Sequence, residues 1–295
     1  MILYPETPSS SVTSLRINAV VCALPDVLLD PQMWEMSSSS LADCPLLQHA
    51  KVIPHSFATI QYFLNSGALT LISPSPNNPT SSGAIVLNCH DTLVECTSYI
   101  LQHVSSDYVE VEDSDSLYMA EIAGYVHSSS LCFAKLATQQ VKLMNSQFRH
   151  KMEQSQVDGI IKSCCDHFWR LIFPGFCNDG RVWEVDYDAL QSDFTVWHGR
   201  LKFANGDIRA CFGPSIMLLR KMITETVGRI RDLHGMLPSH VLLAGTYANS
   251  SFLTANIRNA LEDCRSANER GVSLLQAPEG ENVCALGALY HAKSC

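Results

Sequence analysis

Pro238-Ser-His-Val-Leu-Leu-Ala-Gly-Thr-Tyr-Ala-Asn-Ser-Ser-Phe-Leu-Thr-Ala-Asn-Ile-Arg-Asn-Ala-Leu261 falls into three parts. His240 to Ala244 is a short apolar run, the pattern of a strand buried on both faces. Gly245 to Ser250 is a turn of small and polar residues. From Ser251 onward Phe252, Leu253, Ile257, Ala260 and Leu261 recur at helical spacing, and Ser250 or Ser251 can cap the first turn. Strand, polar turn and helix in that order put the turn at the C-terminal end of a strand. In open α/β sheets that is where ligands bind; the same residues equally fit an ordinary strand-to-helix connection.

The chain upstream supplies partners for that strand. Ser14 to Leu24 reads as a strand closed by Pro25, Asp26 to Leu47 as mostly helical or irregular, Lys51 to Ile53 as a brief strand, and Ser56 to Leu64 as a helix. Ser73 to Ser82, rich in proline and asparagine, is a loop by composition. Ala84 to Leu87 and Leu93 to Ile100 read as two strands, with Asn88-Cys-His-Asp-Thr92 as the hairpin between them. Asp107 to Asp115 is acidic and fits an exposed edge or loop. Leu117 to Met152 and Val157 to Phe173 carry helical patterns, broken by Pro174 to Gly180. Val182 to Phe203 alternates apolar and polar residues, which predicts a small antiparallel sheet. Ser215 to Leu233 is a predicted helix that leads through Gly235 into the first stretch. A strand at Val272 to Leu275 and a helix at Asn282 to Ala292 complete the pattern.

At 295 residues and 46% hydrophobic composition, the chain can bury one large core or two modest ones. A formal charge of -9 argues against nucleic acid and anionic membranes as main partners, since both reward basic patches. Twelve cysteines occur without a C-x-x-C pair and among apolar neighbours, where a free thiol acts as a small hydrophobe. Met1 to Ser11 lacks a basic start and a long apolar run. The expectation is therefore a reduced, cytoplasmic setting. No run approaches the length of a membrane span. No His/Cys spacing fits zinc, and no Gly-x-Ser-x-Gly elbow supports an acyl-transfer triad.

His240-Val-Leu-Leu-Ala-Gly-Thr-Tyr-Ala-Asn-Ser-Ser-Phe-Leu253 resembles the adenosine-binding strand, turn and helix of the actin-like ATPases. It is most similar to the seventy-kilodalton heat-shock chaperones and their divergent fungal relatives, which read there apolar-apolar-Val-Gly-Gly-Phe-x-x-Ser-x-x-Leu. Asn282-Val-Cys-Ala-Leu-Gly-Ala-Leu-Tyr290 resembles the family's closing Gly-Ala helix. Asn18-Ala-Val-Val-Cys-Ala-Leu-Pro25 resembles a strand ending in proline, and Pro54-His-Ser-Phe-Ala-Thr-Ile-Gln-Tyr62 resembles the Glu-Pro-x-Ala-Ala-x-x-Tyr helix start. Gly83 to Tyr99 falls where the family carries its second phosphate loop, Asp-x-Gly-Gly-Gly-Thr-x-Asp, before a Ser-Tyr matched by Ser98-Tyr99. The resemblance implies a truncated α/β actin-like fold of two lobes around a cleft. Residues 1–116 and 205–295 would form the core lobe, and 117–204 a smaller helical lobe with a short sheet.

The departures from the family bear on function. Phosphate-loop glycines let backbone N–H groups cradle phosphate, and side chains there block the approach. Here Asn88-Cys-His-Asp-Thr92 fills the loop, Asp91 would repel a triphosphate, and Thr246 replaces the second glycine of the adenosine turn. Glu95 stands where the closing aspartate would. The family's first phosphate segment and its peptide-clamping domain are expected to be lacking. These departures imply neither nucleotide nor any other cofactor, no metal, and a vacated cleft suited to a small apolar substrate.

Asn88, Asp91, Thr92 and Thr246 are the expected lining, with His167, Phe168 and Arg170 falling near the family's adenine-contacting helix. His90, Tyr247 and Asn249 are the candidate catalytic donors. The resemblance extends to a functional class: a cofactor-independent cyclase of fungal, terpenoid-type natural-product biosynthesis, performing an intramolecular cycloaddition of the Diels–Alder type. A non-enzymatic pseudo-ATPase, acting as scaffold or chaperone regulator, is the alternative. His90 also fits a turn histidine with a satisfied hydrogen bond, and Tyr247, Phe168 and Trp169 fit core packing.

Overall fold

Two apolar segments far apart in sequence pair directly, and the sheet grows from them. Strand β4 (Ser81–Cys89) lies parallel to β10 (Pro238–Ala244), with Val241 opposite Ile85 and Ala244 opposite Asn88. The computed structural model of the chain describes residues 2–5, 17–24, 51–69, 81–90, 93–105, 108–112, 118–122, 128–148, 151–190, 196–235, 237–265, 271–277 and 282–294. Within them β4 turns back as β5 (Leu93–Ser105), antiparallel to it. β6 (Tyr108–Glu112) covers the second half of β5, and β7 (Tyr118–Ile122) pairs with the first half. On the other side β11 (Ser273–Gln276) runs parallel to β10. The order is β11-β10-β4-β5-β6. The chain is of the mixed α/β class.

Strand periodicity sends neighbouring residues to opposite faces of this sheet. Ile85, Leu87, Val241 and Leu243 join one apolar cluster, while Ala84, Val86, Leu242 and Ala244 join another. Residues 241–244 are all fully buried, as a central strand requires.

A second sheet holds β1 (Ile2–Pro5), β2 (Ile17–Leu24) and β3 (Lys51–Pro54), with β2 antiparallel to β1 and parallel to β3. The strand expected at 14–24 therefore does not join the main sheet. Both edges of β4 are already taken by β5 and β10, which leaves β2 no place beside it. Helices α1 (His55–Asn65) and α6 (Val283–Ser294) lie between the two sheets. Ile60, Phe63 and Val283 pack on the main sheet, and Ala58 and Ala288 pack on Val21 and Ile53.

The other face of the main sheet is covered by helices. The pattern expected from 117 onward divides: Tyr118–Ile122 is strand, because the first half of β5 needs an edge partner, and α2 (Ser129–Gln147) begins only after Ser128, whose side chain accepts from the Leu131 N–H. Next come α3 (Gln154–His167) and a π-helical turn at Phe168–Ile172. The expected small sheet is a hairpin of β8 (Trp183–Leu190) and β9 (Val196–Phe203). α4 (Asn205–His234) starts ten residues before the predicted helix and runs through Pro214, ending on Gly235 at φ 65°. α5 (Ser251–Asp263) is capped by Ser250, whose hydroxyl accepts from the Leu253 N–H. One apolar cluster links Ile85 and Leu243 of the sheet, Phe212 and Leu219 of α4, and Phe133, Phe168 and Phe203. Segments 129–203 and 205–261 thus share a core.

The ten described cysteines are free thiols. Burial pushes Cys96 and Cys164 up to about 12, so they behave as core hydrophobes. Among the described residues, no helix is long and apolar enough to cross a membrane.

Burial also holds His240 and His291 below the ordinary histidine value of 6.5, with Lys51 adding to the effect at His291. An unfolded chain then binds a proton more readily than the folded one as pH falls below 6.5. Stability should decline from that point and level off below the lowered values. The measurement is the urea midpoint from pH 7.5 to 5, and His240→Gln should flatten part of the slope. An unchanged slope in that variant would contradict the assignment.

Candidate functional site

The site is built where β4 and β10 end side by side. Gly245 follows β10 at φ 84° and ψ -175°, a conformation essentially restricted to glycine. A Cβ there would lie 2.5 Å from the Cys89 carbonyl oxygen. The turn therefore presses against the end of β4, and Thr246 Oγ1 comes within 3.5 Å of His90 Nδ1.

Beneath this pair the hairpin register sets Asn88 directly opposite Glu95. Cross-strand partners project from the same face of a sheet, and both are almost fully buried, at 1% exposure each. They meet the start of α1. The single hydroxyl proton of Thr59 is shared between Asn88 Oδ1 and the His55 carbonyl, both 2.9 Å away. His55 Nδ1 lies 3.7 Å from Glu95 Oε2, an ion pair when the imidazole is protonated. The His55 and His90 rings are 6.5 Å apart, centre to centre. Cys284 of α6 completes the cluster, its sulfur 3.6 Å from Thr59 Oγ1. Among the described residues, none accepts from Asn88 Nδ2. A buried donor left in that state costs about 1–3 kcal/mol.

Of the expected site residues, the structure brings together Asn88, His90 and Thr246. Tyr247 goes the other way. It is fully buried in the core, its ring 5.7 Å from Phe173 and its hydroxyl 3.0 Å from Ser215 Oγ, which in turn meets Ser129 Oγ at 2.8 Å. In a short 3₁₀ turn (Thr246–Asn249) adjacent side chains diverge, so Thr246 faces the cluster while Tyr247 enters the apolar side. Asn249 is exposed. Phe168 is also core, stacked on Phe133 at 4.5 Å. His167 is half-buried at the end of α3 and Arg170 is exposed on the π-helical turn. Asp91 and Thr92 lie outside the described residues.

His55, Thr59 and Cys284 were not legible as site residues. The hairpin register alone would have set Asn88 against Glu95, but the docking of α1 above them is a tertiary event. Chemically, a half-buried imidazole at the rim, that of His90, can donate a hydrogen bond. No group of three metal-ligating side chains converges among the described residues. The ends of β4 and β10 present the side chains of Asn88, His90 and Thr246 to one another. No protein-family model matches the chain, and no curated protein is detectably similar to it.

Proposed function

We propose that the chain is a divergent actin-like fold protein, akin to the seventy-kilodalton heat-shock ATPases, that has given up nucleotide and acts as a cofactor-independent cyclase. Its reaction would be an intramolecular cycloaddition on an apolar, terpenoid-type substrate of fungal natural-product metabolism. The fold reading is supported by the pairing of β10 with the β4–β5 hairpin, by the glycine turn pressed on Cys89, and by α6 packed on α1. The single observation supporting the functional reading is the polar cluster His55, Glu95, Asn88, His90 and Thr246 at the ends of β4 and β10, which in the actin-like reading would stand in place of the phosphate loop.

A unimolecular cyclisation needs its reacting segments held in near-attack geometry and one donor aimed at an activating carbonyl. With Tyr247 committed to the core, His90 takes the donor role, and Thr246 beside Nδ1 orients the ring. The hydrogen bond strengthens as charge grows on the carbonyl oxygen toward the transition state. An oxyanion-hole donor supplies about 2.7–4 kcal/mol in acyl transfer. A neutral cycloaddition develops less charge, and about half of that is expected here.

His90→Ala and His90→Phe should therefore slow cyclisation of a polyene precursor bearing a conjugated carbonyl by roughly tenfold to thirtyfold. Rates are to be taken against the spontaneous reaction. Unchanged rates in folded variants would move the site elsewhere, and micromolar binding of Mg-ATP by calorimetry would overturn the loss of nucleotide. One observation favours the second reading, a non-enzymatic pseudo-ATPase that binds a protein partner. Tyr247, Phe168 and Phe173 pack on one another in the core instead of lining a cleft. Absence of any acceleration by the wild type would decide for it.

A further inference from the structure

A separate concavity of about 640 Å³ lies between α4, α5 and the loop at Cys177 and Asn178. Its volume falls within the range of roughly 300–1,000 Å³ usual for small-molecule sites. None of its lining residues belongs to the polar cluster described above. Its origin is local. Pro214 sits inside α4 and removes the N–H that the Ala210 carbonyl would accept. Gly213 beside it carries no side chain, and a Cβ there would meet nothing within 4 Å. Glycine inside a helix is destabilising relative to alanine, yet no neighbour in the packing demands it. It leaves the floor of the groove low.

The lining divides by chemistry. Among the described residues Arg209 is its only charged group, and no described carboxylate pairs with it. The next cation along α4, Arg220, lies outside the lining and is paired with Asp263. Asn256 donates one amide hydrogen to the Phe252 carbonyl at 2.8 Å, which fixes the side chain and leaves its second amide hydrogen available. Asn259 is exposed on the same helix. The apolar part is Met217, 64% exposed, and Phe252, whose ring is held edge-on to Phe176 and Phe212 at 4.9 and 5.5 Å. A flexible thioether and a fixed aromatic ring lining one groove accommodate a chain of variable shape.

We propose that this groove binds an apolar monocarboxylate, its carboxylate forked by Arg209 with amide donors from Asn256 and Asn259, and its hydrocarbon body on Met217 and Phe252. One cation balances one negative charge. A phosphate, with more charge, would find no second cation among the described lining of a protein that is already at -9. The inference does not depend on the proposed cyclase activity.

The test is isothermal titration of the full chain with decanoate, well below micelle formation, and with decan-1-ol as the uncharged comparator. Saturable one-to-one binding with a Kd near ~10 μM is expected for decanoate, with decanol at least about tenfold weaker. Arg209→Ala should remove that preference, and Gly213→Trp should block both ligands by filling the floor. Arg209 and the Gly213 position are solvent-facing, so circular dichroism should show both variants folded. Absence of saturable decanoate binding would overturn the proposal. So would equal binding of acid and alcohol, or wild-type affinity in both variants.

Discussion

Gly287→Ala is expected to lower the unfolding free energy by about 3 kcal/mol, at the upper end of what an inserted methyl costs in a packed core. A Cβ on Gly287 would overlap the carbonyl of Ala58, which is backbone and cannot swing aside. Ala58 and Ala288 are fully or almost fully buried where α1 and α6 cross. The helix pair is clamped between two sheets, so an outward shift of α6 lifts Val283 from the main sheet and Ala288 from Val21 and Ile53 together. Urea unfolding followed by circular dichroism gives the value. Gly228→Ala, inside α4 where a Cβ meets nothing within 4 Å, is the matched control and should gain about 0.8–1 kcal/mol. Equal stability of Gly287→Ala and wild type would mean that the helices do not cross as described.

Phe212→Ala should cost about 3–5 kcal/mol. Its ring is fully buried and stacks on Phe176 at 5.2 Å, with Phe173 at 5.6 Å, Phe252 at 5.5 Å and Phe168 at 6.0 Å. These rings come from α3's extension, the loop after it, α4 and α5, so one truncation loosens every contact among them. Collapse is hindered because the neighbours are themselves rigid rings, which keeps the cavity term large. Phe212→Leu should recover most of the loss. A deficit below about 1 kcal/mol in the alanine variant would show that the cluster relaxes as a fluid one would.

The strand, turn and helix at 238–261 were legible because each part carries its own local signal: an apolar run, a glycine, a serine cap. The hairpin of β4 and β5 and the sheet of β8 and β9 were legible for the same reason. Tyr118–Ile122 was not, because Ile122 and Val126 fit a helical period equally well and the strand forms only to cover an edge of β5. The helix expected from Ser215 begins at Asn205 instead, because α4 runs through Pro214. Asn88, His90 and Thr246, named through the resemblance, lie together because β4 and β10 end side by side. Tyr247 fitted both a donor role and core packing in the sequence, and the structure places it in the core. Its hydroxyl is satisfied by Ser215, 32 residues away, and that partner has no signature near the turn.

The order of the main sheet sets a schedule for synthesis. The Ser239 hydroxyl donates to the Gly83 carbonyl across 156 residues, and the whole of β10 joins β4 over that span. On a ribosome adding about 5–20 residues per second, β4 waits roughly 10–30 s for the strand that will cover its second edge. Through that interval Ile85, Val86 and Leu87 present an apolar edge strand, the feature that templates aggregation in incomplete sheets. Cells making this protein would have to shield the nascent hairpin until residue 244 emerges, and slowing elongation between 105 and 238 should lower the soluble yield.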